Sequence, residues 1–263
     1  MSTSTAAVAR SQEPEGPVAI PQLRRGGVLA VWAAAAVPMW LLAWVVAPLI
    51  ADDLSGPAPL GRALIVALAA GLVWQSVLVL VLVRREQGTL RWPVLRQALW
   101  LMAPRSPRTG RRSRLLWLVL VPAVALFGAE EFVPSLPAPV GRDFGAFAAS
   151  HAGSQVLGGS WGWFAVLVVM WLFNTVLGEE LLFRGYLLPR MAGGFGRFDW
   201  LVNGLLFSAY HVHVWWVIPH TLVDTFALAL PSRRYRSAFI GIAVHSTQTV
   251  VLVVLVLPLV LQG

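Results

Sequence analysis

The sequence predicts an all-α, polytopic transmembrane helical bundle of about seven spans, and three observations carry that expectation. Hydrophobic residues fill 57% of the 263 positions and charged residues only 12%, about half the charged share of an ordinary soluble domain. The apolar residues gather in runs nearly free of Asp, Glu and Arg, several of them long enough to cross a bilayer at about 1.5 Å per residue. Between those runs, arginines cluster on alternate connections, the asymmetry of the positive-inside rule.

Residues 1–23 are small, polar and poor in bulky side chains, the composition of a disordered tail. Residues 24–263 then form one membrane domain, since no stretch outside the apolar runs could bury a core of its own. A signal peptide is not expected, because the first run begins late, after Arg24 and Arg25, and is long enough to span. The predicted spans cover about 27–50, 63–83, 115–127, 161–188, 200–218, 219–230 and 238–261. The third is short and the sixth is weak.

Arginine placement tests that layout. Arg24 and Arg25 precede the first span, and the run from Arg84 to Arg114 lies between the second and third. Arg190 and Arg197 separate the fourth from the fifth, and Arg233, Arg234 and Arg236 precede the last. Asp52, Asp53, Glu130 and Glu131 fall on the other side, with Arg62 and Arg142 as isolated exceptions. The N-terminus is therefore expected in the cytoplasm and the C-terminus outside. In the basic loop, Trp92, Leu95, Leu99 and Trp100 recur at helical spacing, which suits either an amphipathic interfacial helix or a packed connector.

Composition also excludes classes. The net charge of +8 is entirely arginine and is placed as topology charge, so no nucleic-acid partner is expected. The absence of cysteine excludes disulfides, thiolate metal ligands and a cysteine nucleophile. Thirteen tryptophans fit interfacial anchoring. An all-arginine basic complement hints at a GC-rich bacterial genome, and hence at a bacterial cytoplasmic membrane.

Three places in the second half break the apolar pattern: Gly178–Arg184, Phe207–His211 with His213, and His245–Thr249. An ionisable group within a span costs roughly 2.5–3.5 kcal/mol on insertion scales, so such groups rarely persist without a role. At the helical rise, Glu179 lies about 16 Å from Arg190, His211 about 16 Å from Trp200 and His245 about 13 Å from Arg236. Three distant stretches are thereby placed in one layer near mid-membrane on the cytoplasmic side.

Glu180 and Arg184, four residues apart, share a helix face and can pair. Glu179 points about 100° away and is free to meet a neighbouring helix as a desolvated general base. His211 and His245 could hold a water, stabilise an oxyanion or ligate a metal. Plainer roles stand beside these: a structural ion pair for Glu180 and Arg184, and interhelical hydrogen bonding for a lone His211. His213 is expected on the opposite side from His211, His151 and His220 carry no assigned role, and Asp224 is either a polar contact or a pore-lining group.

The three stretches resemble the motifs of the CPBP family of intramembrane proteases, which includes the CAAX-prenyl endopeptidases and bacteriocin-processing relatives. Glu179, Glu180 and Arg184 match its first motif, Phe207 and His211 its second, and His245 the start of its third, over about 161–255. Thr249 departs from the pattern, standing where the family usually has Asn or Asp. The resemblance implies peptide-bond hydrolysis in the membrane. Glu179 would activate water with His211, and His245, with Thr249, would stabilise the oxyanion. Glu180 and Arg184 would orient the site. It also implies either a zinc held by Glu179, His211 and His245 or a metal-free mechanism. The implied partners are the lipid bilayer and a membrane peptide or protein substrate, for which a prenylated C-terminus and a leader peptide both fit. Oligomeric state is left open. Two other classes stand as alternatives: a non-catalytic scaffold or immunity-type factor, and a proton-coupled transporter, for which no paired broken helices or repeat halves are visible.

Overall fold

The computed structural model describes residues 18–262, and among them the architecture is all-helical, with no sheet. Six helical stretches are long and apolar enough to cross a membrane. They are α1 (Arg25–Asp52), α2 (Pro59–Gln87), α4 (Arg114–Phe132), α7 (Trp161–Arg190), α8 (Ala192–Thr221) and α10 (Ala238–Leu261). Short helices α3 (Trp92–Ala98), α5 (Phe144–Ala149), α6 (His151–Leu157) and α9 (Leu230–Tyr235) lie between them. The predicted polytopic bundle is thus present. Most of the predicted N-terminal tail, residues 1–17, lies outside the described residues.

Local chemistry sets the ends. α2 opens on Pro59, whose missing N–H costs nothing in a first turn. It ends with Arg84 and Arg85 in its last turn and Gly88 in the left-handed region at φ 69°. Asp143, Ser150 and Ser160 accept the free amides that start α5, α6 and α7. Gly71 of α2 lets α1 pack closely, because a Cβ there would overlap the Met39 sulfur.

The fifth predicted span is present as α8, and the sixth needs correction. The fifth is not a straight rod: α8 breaks at Val214, which has non-helical φ −133° and ψ 50°. The chain then turns back on itself. Ser208 Oγ lies 3.1 Å from the Gly204 carbonyl and 2.8 Å from that of Thr221, thirteen residues on. A Cβ on Gly204 would overlap Thr225. The return pass, predicted as the span 219–230, is made of short pieces: a π-helical turn at Thr225–Ala229 followed by α9. A buried Asp224 and prolines 219 and 231 explain why no regular helix forms there.

The ends of the bundle differ in charge. At one end Arg233 pairs with Asp199 at 2.5 Å, the Ala238 amide reaches the Trp100 carbonyl, and the Arg105 amide reaches that of Tyr235. At the other, the Trp44 indole donates to the His213 carbonyl and the Leu136 amide to that of Trp216. The basic loop contributes both predicted characters: Trp92 is exposed while Leu99 is fully buried.

The basic end is tied together by one side chain. Arg190 is fully buried, and its Nε and Nη2 grip Glu86 at 3.0 and 2.7 Å. Its Nη1 donates to the carbonyls of Ala98 and Tyr186, so α2, α3 and α7 meet on a single guanidinium. The extended segment from Val18 also docks here, through the Leu23 amide to the Arg190 carbonyl at 2.8 Å. Glu86→Ala strands a buried cation, and the expected loss of stability is about 3–5 kcal/mol. An unchanged thermal midpoint for the purified variant would show that the clamp contributes nothing.

Candidate active site

Glu179 and Glu180 sit in α7 between two π-helical stretches, Phe173–Gly178 and Leu181–Leu187. Such wide turns occur mostly as single-turn insertions within α-helices, and frequently at functional sites. Gly178 lets the α2 backbone come close, since a Cβ there would lie 3.0 Å from the Leu72 carbonyl.

The two carboxylates divide as their spacing predicts. Glu180 is fully buried, with its Oε1 3.0 Å from Arg184 Nη1 and 3.1 Å from His245 Nδ1. The Arg184 guanidinium lies 4.0 Å over the Phe207 ring, a cation–π contact in a dry setting. Phe207 also meets His211 and His245 edge-on, with ring centroids 4.9 and 6.0 Å away. The second family-like motif is therefore the wall between the buried ion pair and the two histidines. Gly241 of α10 completes that wall, because any Cβ would collide with Glu180 Oε2.

Glu179 faces a cavity of about 340 Å³ shared with His211 and His245. Its Oε2 is buried and has no protein partner, while the Tyr210 phenol, held by Gln75 at 2.6 Å, lies within its hydrogen-bonding reach. His211 Nδ1 is 2.9 Å from the Phe207 carbonyl. A carbonyl only accepts, so that nitrogen carries the proton and Nε2 is left with its lone pair. His245 is oriented in the same manner by Glu180. Three spans thus deliver Glu179, His211 and His245 to one space.

Several expectations need revision. His213 does not point away from His211: the helix has already changed at His211, and the two rings stack with centroids 5.8 Å apart and both line the cavity. Thr249 does not line it. Its hydroxyl lies 3.0 Å from Thr175 Oγ1, which in turn donates to the Trp171 carbonyl. The residue that does face the cavity is Gln248, whose Oε1 accepts from Asn174 Nδ2 at 3.4 Å. Positions three and four after His245 both flank its face, so spacing alone could not choose between Gln248 and Thr249.

Asn174 gave no signal at α-helical periodicity. It comes onto the Glu179 face only because the intervening turn is π-helical. Asp224, Glu130 and His220 also reach the cavity. The first had been left between two roles and the others had none.

The zinc reading is overturned. Among the described residues no three His, Cys, Asp or Glu side chains converge on a point that could hold a metal ion. The predicted set of Glu179, His211 and His245 does not fit the ion.

Residues 160–251 match the family described as type II CAAX prenyl endopeptidase Rce1-like. The match covers roughly a third of the chain and contains all three motif stretches. No curated protein and no solved structure matches.

The contact between α10 and the ion pair can be tested without any assay of function. Gly241→Ala is expected to lower stability by about 1–3 kcal/mol through overpacking. Gly128→Ala, whose Cβ would meet nothing within 4 Å, serves as the control. Equal midpoints for the two variants would refute the close approach.

Proposed function

We propose that the chain is an intramembrane endopeptidase that hydrolyses peptide bonds of membrane-associated substrates with a glutamate-activated water. The observation that carries this reading is the convergence of Glu179, His211 and His245 on one cavity, with a Glu179 oxygen left without a protein partner. The match of residues 160–251 supports it.

The hydrogen bonds support the following roles. A water held between the Glu179 carboxylate and His211 Nε2 would meet two acceptors, which strips its proton most readily. Glu179 takes that proton as the hydroxide adds to the scissile carbonyl carbon. His245, tied through Nδ1 to the Glu180 carboxylate, would act as the imidazolium, with its Nε2–H facing the developing oxyanion. As the C–N bond breaks, Glu179 passes its proton to the departing amine. Arg184 and Phe207 hold Glu180, and hence His245, in place without touching the substrate.

Thr249 is relieved of the oxyanion role. Its proton is directed at Thr175, whose own proton goes to the Trp171 carbonyl. Gln248 is better placed: Asn174 occupies its carbonyl, which leaves both amide protons free toward the cavity. The scaffold reading, suggested by the threonine, loses its main support once Gln248 supplies the donor.

Purified protein is expected to cleave a membrane-peptide library, and Glu179→Gln to abolish cleavage while folding normally. Gln248→Leu should lower kcat about 10²–10³-fold, the effect of losing one oxyanion donor, whereas Thr249→Val should stay within a few-fold of the parent. A large loss in Thr249→Val with none in Gln248→Leu would return the role to the threonine. Full biological activity in Glu179→Gln would favour the scaffold.

The arginine distribution supports a bacterial inner-membrane location with the N-terminus in the cytoplasm. The chain has no cysteine, so single replacements report cleanly. Val140→Cys, at a site 97% exposed, should react with a membrane-impermeant maleimide in intact cells. Thr109→Cys, in the basic loop, should react only after permeabilisation, and the opposite pattern would invert the topology.

A further inference from the structure

The cavity that holds Glu179 has a charge pattern the hydrolytic chemistry does not require. Besides Glu179 it is lined by Glu130, Glu131 and Asp224, and no arginine is among its lining residues. This is notable in a chain with twenty arginines and twelve acids. The nearby guanidinium of Arg184 stands over the Phe207 ring and pairs with Glu180, outside the cavity lining. The remaining polar walls are imidazoles, His211, His213, His220 and His245, and the amides of Asn174 and Gln248.

Among the described residues none of these acids is half of an ion pair. Asp224 is 3% exposed, and its Oδ1 has no protein partner; Glu179 is 2% exposed, with Oε2 likewise unpartnered. Glu130 is half-buried and Glu131 exposed at the rim. Buried polar atoms left without partners are rare, and each calls for an explanation. Carboxylates gathered in a low-dielectric pocket attract a cation strongly, and they repel another carboxylate for the same reason.

We infer that this cavity selects peptides carrying a lysine or arginine side chain close to the scissile bond, held by Asp224 and Glu130 while Glu179 attacks. The inference rests on the peptidase reading of the same cavity and adds the substrate class. It also disfavours cleavage next to a free C-terminus, whose carboxylate would meet acids and no cation. Glu131 at the rim would guide the cationic segment in, and Asp224 would receive it at depth.

The test uses one peptide in three forms, with arginine, citrulline or glutamate beside the cut. Citrulline keeps the shape of arginine and removes its charge. Cleavage by the purified protein is read as kcat/KM, and binding to Glu179→Gln protein in nanodiscs as Kd. The arginine form is expected to exceed the citrulline form about tenfold, the ratio given by ~1.4 kcal/mol, and the glutamate form by more. Glu130→Gln, or Glu131→Gln should the first fold poorly, is expected to bring the arginine-to-citrulline ratio toward one. Equal rates for arginine and citrulline, or a faster glutamate peptide, would overturn the inference while leaving a peptidase. Cleavage of none, with the arginine form still bound tenfold tighter, would remove the peptidase and leave the cation site standing.

Discussion

Everything near the centre of this molecule depends on keeping Glu180 and Arg184 charged together where there is no water. Both are fully buried, and removing one partner of such a pair typically costs about 3–5 kcal/mol. The surroundings are built to offset that cost. Glu180 Oε1 meets both Arg184 and His245, and the face of Phe207 spreads beneath the guanidinium. Gly241 clears the space in which α10 brings His245 down to the carboxylate. A pair that would otherwise be a liability thereby fixes the position of the one histidine that α10 supplies.

The same economy explains the irregular helices. A straight α7 would offer the cavity Glu179 but not Asn174, and a straight α8 would carry His213 away from His211. The π-helical turn at Phe173–Gly178 and the break at Val214 bring these residues round. Irregular backbone at membrane depth is tolerated where it is buried in protein or lines a cavity, and both distortions here do. Past the break, the Thr221 carbonyl accepts from Ser208 Oγ. Not every departure lies at the cavity: α1 also carries a π-helical stretch at Leu42–Val46, while α2 and α10 are regular, and α1 and α2 pack closely where Gly71 meets Met39.

What the sequence made legible follows from periodicity and cost. Apolar runs gave the long helices because hydrocarbon demands them, and the Glu180–Arg184 spacing gave their pairing because four residues return a helix to one face. Glu179, His211 and His245 were legible as expensive groups at matched depth. Hidden were the features that depend on broken periodicity. His213 was placed on the far side by an angle that a continuous helix would have imposed. Asn174 looked remote from Glu179 for the same reason, and the return pass looked like a weak span because Asp224 and its prolines dilute the hydropathy. The zinc set failed differently. Residue types suggested ligands, but whether three such side chains converge on one point is a fact of packing that no spacing records.

In the proposed peptidase, Gln248 would take the donor's part that the motif pattern assigns to the position of Thr249. A short hydroxyl at the fourth residue after His245 cannot both satisfy Thr175 and reach the cavity, because it has one proton to give. A glutamine at the third residue is longer and has two. Anchored through its carbonyl by Asn174, it presents them without the freedom that would make them poor donors. The anchor exists only because α7 widens at that turn. The replaced residue on α10 and the distortion of α7 are therefore two halves of one arrangement, and neither explains the site without the other.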